Sequence, residues 1–185
     1  MVRLRAPRLQ FIRMEAGSTH GVHVHAMTKS LVASRSATSI RGLVFELSIF
    51  DMCAPLLRLL GELKMLNRLI IRQCMFTNGT DPLLKGLTLK GQDNETSPSP
   101  LPSSSDCPNL RVLELGEIIL RPESLEDLVR SRISPSGSQG SIPLRGLLFK
   151  NIHLRDGKGN LQWLQDLVQE GILKGSDREI WVGRS

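Results

Sequence analysis

Leu66-Asn67-Arg68-Leu69-Ile70-Ile71-Arg72-Gln73-Cys74-Met75-Phe76 reads as an apolar residue, two others, an apolar, any residue, an apolar, then two more before Cys74. The same spacing returns, with conservative swaps, at Leu9/Ile12/Met14, Ile40/Leu43/Phe45, Leu84/Leu87/Leu89, Leu110/Leu113/Leu115 and Leu144/Leu147/Phe149. The last two runs continue into Ile118/Leu120 and Ile152/Leu154. Within each run the alternation is that of a short strand with one buried face. A strand with its return segment cannot bury its apolar side alone, so copies have to stack.

Such a recurrence is the signature of a leucine-rich repeat. The expected fold class is therefore α/β: a leucine-rich-repeat solenoid, bent into an arc, with one parallel sheet and irregular helices and loops on the opposite side. Residues 1–185 are expected to form a single domain. Strands are predicted at 9–14, 42–46, 68–72, 86–90, 112–116, 146–150 and 179–182. Apolar spacing predicts helices at 50–63, 123–132 and 160–170, with a weaker candidate at 28–35. Residues 76–83 leave no room for a helix and are read as a bare loop. The Ser-, Pro- and Gly-rich stretches 91–106 and 134–141 lack an apolar period and are expected to be disordered loops.

Aromatic residues make up only 4% of the chain and Tyr is absent, so Leu has to carry the core. The formal charge of +6 favours acidic partners in general. Arg and Lys are nevertheless dispersed, with no block of five or six, which argues against a nucleic-acid-binding arm. Cys53, Cys74 and Cys107 form no C-x-x-C pair, and Cys74 falls where the repeat turns a small side chain inward; reduced, buried thiols are expected, in a cytoplasmic or nuclear compartment. The sequons at Asn78 and Asn94 follow no secretory signal and are read as coincidental. Arg3, Arg5, Arg8 and Arg13 without an early acid have the composition of a presequence, but Pro7 and the Leu9/Ile12/Met14 spacing favour a first repeat. No run of 18 apolar residues exists, so no membrane span is expected.

Chemistry-bearing motifs are sparse. His20, His23 and His25 lie in an expected loop with no carboxylate or Cys to complete a metal site. No phosphate cradle or nucleophile elbow is present. Glu123, Glu126 and Asp127 read as the acidic first turn of an exposed helix. The expectation is a non-enzymatic chain with no cofactor and no metal. The surface is more informative. If Ile12, Leu43, Leu69, Leu87, Leu113, Leu147 and Ile180 face the core, their neighbours Arg13, Val44, Ile70, Thr88, Glu114, Leu148 and Trp181 line the other side of the sheet. Arg72, Lys90 and Lys150 flank that row, with Glu15, Glu46 and Gly116. Two readings stand: a protein-binding face, or a face covered by another segment.

The stretch Cys107-Pro108-Asn109-Leu110-Arg111-Val112-Leu113-Glu114-Leu115, followed by 123–132, a Ser/Gly-rich break and Pro143-Leu144-Arg145-Gly146-Leu147, resembles the repeats of F-box proteins. It is most similar to the C-terminal repeats of F-box-like proteins from mushroom-forming fungi, well over 107–182 and loosely over 40–90. The resemblance implies a substrate receptor whose repeats hold a target protein, while an F-box docks onto the adaptor of a cullin-based ubiquitin ligase. This chain has no Leu-Pro-x-Glu-like F-box opening, so adaptor docking is expected only of a product that carries one. The alternative function is a basic nucleic-acid- or ribonucleoprotein-associated factor.

Overall fold

The computed structural model describes residues 9–19, 21–33, 35–50, 53–77, 79–89, 107–133, 144–155 and 162–169. The chain is mixed α/β. Strands β1 (Phe11–Thr19), β2 (Gly42–Phe50), β3 (Arg68–Arg72), β5 (Val112–Gly116) and β7 (Gly146–Lys150) form a parallel sheet in the order β1-β2-β3-β5-β7. The two-residue strand β4 (Met75–Phe76) pairs with the far end of β2, and β6 (Ile119–Leu120) pairs separately with β8 (His153–Leu154). Helices α1 (Gly21–Ala33), α2 (Cys53–Glu62), α3 (Asp81–Leu87) and α4 (Pro122–Ile133) pack against one another in chain order; α5 (Gln162–Gln169) follows.

The register follows from the apolar alternation. Leu43, Leu69, Leu113 and Leu147 occupy one row across β2, β3, β5 and β7, and Phe45, Ile71, Leu115 and Phe149 the next inward row. All eight are buried, beneath Leu56, Leu59 and Leu60 of α2, Leu83, Leu84 and Leu87 of α3, and Leu125, Leu128 and Val129 of α4. Each such side chain contributes about 1.5–3 kcal/mol on burial. Pro122 opens α4, Glu123 lies in its first turn and Arg130 and Arg132 in its last, matching the helix dipole at both ends.

A finer unit recurs. After β3, β5 and β7 the chain passes through Gln73, Glu117 and Asn151, all with φ near +50° (51°, 51° and 48°). Each is followed by a buried residue (Cys74, Ile118 or Ile152) and then by a two-residue strand. The left-handed residue lets the chain turn sharply after five strand residues, at a cost of about 1–2 kcal/mol for a residue with a Cβ.

The structure corrects several expectations. Residues 81–87 form α3, in place of a bare loop and a strand at 86–90, so β3 pairs directly with β5. Leu84 and Leu87 are three apart, which satisfies a helical face as well as the repeat spacing; Asp81 in the first turn and Pro82 beside it favour the helix. Strands β1 and β2 each run nine residues, beyond the predicted ends. Helix α1 begins well before residue 28 and takes in His23 and His25, which were expected in a loop. The expected strand at 179–182 and the stretches 91–106 and 134–141 lie outside the described residues.

A buried arginine of α4 fastens the interior. Arg132, 1% exposed, donates from Nε to the Leu87 carbonyl (2.8 Å) and from Nη1 to the Cys107 carbonyl (2.9 Å). These two carbonyls belong to the last residue of α3 and to the start of the segment that leads into β5, so one guanidinium ties the two together.

Candidate functional site

The strand register brings much of the predicted face together. Arg13, Val44, Ile70, Glu114 and Leu148 are successive members of one row across β1, β2, β3, β5 and β7. Arg72, Gly116 and Lys150 follow Glu46 in the row flanking it. Thr88 does not belong to the face. It ends α3, with its hydroxyl donating to the Leu84 carbonyl at 2.9 Å, because the segment before it is helical. Lys90 and Trp181 lie outside the described residues.

The middle of this face is closed. Val44 and Ile70 are each 5% exposed and Glu114 is 2% exposed. Long charged side chains explain part of the closure. Arg13 Nη2 meets Glu46 Oε2 at 2.7 Å, and Arg72 reaches Glu46 Oε1 at 3.9 Å. Arg72 Nε also donates to Glu114 Oε1 at 2.7 Å, its Nη2 bonds the same oxygen, and Arg68 approaches Glu114 Oε2 at 3.6 Å. The carboxylate of Glu114 is thus neutralised from both sides, which its burial requires. The aliphatic stems of such side chains can cover apolar neighbours while their charged heads stay in water.

An open site lies at the other ends of the strands. Strand β4 pairs with β2 and β6 pairs with β8, and among the described residues no backbone ladder joins β4 to β6. The gap is a cleft of about 480 Å³, lined by Phe76, Ile118 and Leu120 together with Met75 and Ile119. Met75 is 68% and Ile119 59% exposed, the two most exposed large apolar side chains among the described residues. Polar contacts bridge the gap: Thr80 Oγ1 donates to the Ile119 carbonyl (2.5 Å), Arg121 Nε meets Asp81 Oδ2 (3.2 Å), and Gln73 Nε2 donates to Glu117 Oε2 (2.9 Å). The other carboxylate oxygen, Asp81 Oδ1, is buried without a partner among the described residues. Arg155 and His153 complete the rim. The volume lies within the usual range for ligand pockets.

Cys74 Sγ donates to the Arg72 carbonyl at 3.1 Å and is buried. Burial pushes the Cys53 thiol above its ordinary range, with a weaker opposing backbone bond at Leu83, which disfavours the thiolate a nucleophile needs. Among the described residues no group of three His, Cys, Asp or Glu could hold a metal ion, and no helix is long and apolar enough to cross a membrane.

The cleft was not found from the sequence, although one signal for it was present. In the three short strands the outward position permits any residue, yet two of its occupants are Met75 and Ile119, with His153 the third. Apolar residues at solvent-facing positions of a repeat mark a contact surface. Comparison with known proteins found no matching family model, no matching curated protein and no matching solved structure.

Proposed function

We propose that the chain is a protein-recognition module of the leucine-rich-repeat class, working in the cytoplasm or nucleus without chemistry of its own. Three successive units share a five-residue strand, a left-handed residue, a buried apolar residue and a two-residue strand, which supports the repeat reading. The single observation that carries the binding role is the cleft between β4 and β6. It is an apolar hollow with exposed Met75 and Ile119 at its lips and polar groups at its rim, suited to an apolar anchor residue of a partner. The resemblance of residues 107–182 to F-box-protein repeats extends the proposal to a substrate receptor of a cullin-based ubiquitin ligase.

The test is quantitative affinity capture with the wild-type chain and with a Met75→Glu/Ile119→Glu double variant of unchanged melting temperature. The expected result is at least one partner whose recovery falls about tenfold or more in the variant, as a central anchor implies. Identical partner profiles would overturn the cleft as the recognition site. Ligase adaptor and cullin among the proteins recovered with the native gene product would support the receptor assignment, and their absence would remove it.

A further inference from the structure

At the opposite rim, where the strands begin, the repeat does something the sequence conceals. Gln10, Arg41, Asn67, Arg111 and Arg145 each stand one residue before a strand, on one register row. The same pair of bonds joins every step. Arg41 and Gly42 N–H groups donate to the Gln10 carbonyl (2.8 and 3.0 Å), and Asn67 and Arg68 to the Arg41 carbonyl (2.9 and 3.0 Å). Arg111 and Val112 donate to the Asn67 carbonyl (both 2.9 Å), and Arg145 and Gly146 to the Arg111 carbonyl (2.8 and 3.0 Å). Arginines separated by tens of residues in sequence are thereby set on a rigid backbone at about 4.8 Å per strand.

Arg41, Arg111 and Arg145 are all exposed, and no ion pair engages them among the described residues. Arg68, on the adjoining row, is the half-exposed neighbour that leans toward Glu114. Like charges side by side on neighbouring strands are unfavourable. Arg111 and Arg145 hold that arrangement without an acid beside them among the described residues, whereas at the other like pair, Glu15 opposite Glu46, Arg13 and Arg72 reach Glu46. A like-charge pair that no acid among the described residues relieves points to a partner that supplies the missing charge.

We infer that this arginine row is a docking strip for an acidic polypeptide segment, a run of Asp and Glu laid across the strand beginnings. Arg41 to Arg145 spans three strand spacings, about 14 Å, which an extended run of about five residues matches. The guanidinium fork suits carboxylates. A single-stranded nucleic acid needs aromatic platforms beside the charges, and the row contains none; Phe11, the exposed aromatic nearest to it in sequence, lies with its ring over Gly42 of the neighbouring strand. The inference rests on the protein-binding reading only in taking a polypeptide as partner, and it uses a different rim from the cleft.

The test is fluorescence anisotropy with a labelled peptide of five consecutive Glu between Gly-Ser flanks, in about 0.15 M salt. The Arg41→Gln/Arg111→Gln/Arg145→Gln variant should weaken binding by at least about tenfold, because adjacent charges act together. The control Lys29→Gln/Arg58→Gln/Lys85→Gln, which removes the same charge from exposed helical positions, should weaken it by less than about twofold. On the wild-type chain alone, affinity should fall steeply with rising salt. Equal losses in the two triple variants, salt-insensitive binding or no wild-type binding would each overturn the inference. So would tighter binding of a labelled DNA strand or duplex that is lost with the same three arginines. The Met75→Glu/Ile119→Glu variant should bind the peptide as wild type does, so a failure of the cleft reading and a failure of the row reading appear in different proteins.

Discussion

The two rims of the sheet are built by the same repeat and end differently. Where the strands begin, every neighbouring pair is joined by the same two backbone bonds, and the rim is continuous from Gln10 to Arg145. Where they end, the ladder divides: β4 stays with β2, β6 joins β8, and the cleft opens between them. Regularity sets a pitch for side chains that a repeat happens to carry. Interruption makes a concavity that no regular sheet possesses. Both come from one motif, so the place where a repeat lapses can be as informative as the places where it holds.

Variants can break each side of this contrast. The largest effect is expected from Arg132→Ala, which frees two buried carbonyls and leaves a cavity behind the regular rim; chemical denaturation should show a loss of about 3–5 kcal/mol. Leu113→Ala, at the centre of the inward row and 0% exposed, should cost about 2–5 kcal/mol by the same measurement. Glu117→Val places a β-branched residue at a left-handed turn and should cost about 1–2 kcal/mol. The conservative Asn at the equivalent Asn151 tolerates that conformation, so Glu117→Asn should cost well under half as much. Met75→Glu/Ile119→Glu at the interrupted rim should leave stability within about 0.5 kcal/mol for each change while reducing partner capture.

The smallest effect concerns pH. Burial raises the Cys53 pKa in the folded state, so the native chain keeps this proton to higher pH than the unfolded one. Stability from this group is therefore full below the ordinary thiol pKa and declines as pH rises through and above about 8.5. Denaturation midpoints of wild type and Cys53→Ala should converge over that window, and iodoacetamide should modify the native thiol slowly.

The strands at 68–72, 112–116 and 146–150 were legible because their alternation admits one register once Leu69, Leu113 and Leu147 face inward. Helix α3 was not, since Leu84 and Leu87 satisfy two periods at once; the start signals at Asp81 and Pro82, with packing on α2 and α4, decide for the helix. Arg13, Val44, Ile70, Glu114 and Leu148 share one register row, without Thr88, and their exposure was not legible because burial of Val44 and Ile70 depends on neighbours from other strands. The cleft and the arginine row escaped for a related reason. Each is made of positions the motif leaves free, and each exists only after separate units are brought side by side.

The clamp formed by Arg132 has an engineering consequence. Because Leu87 and Cys107 are pinned to one guanidinium, the span between them is set independently of what is threaded through it. Lengthening the connecting chain then incurs only a logarithmic closure cost, about 0.6 kcal/mol per doubling. A reporter domain or protease site grafted between Leu89 and Cys107 should leave the host's unfolding midpoint nearly where it was, giving a handle for labelling the protein.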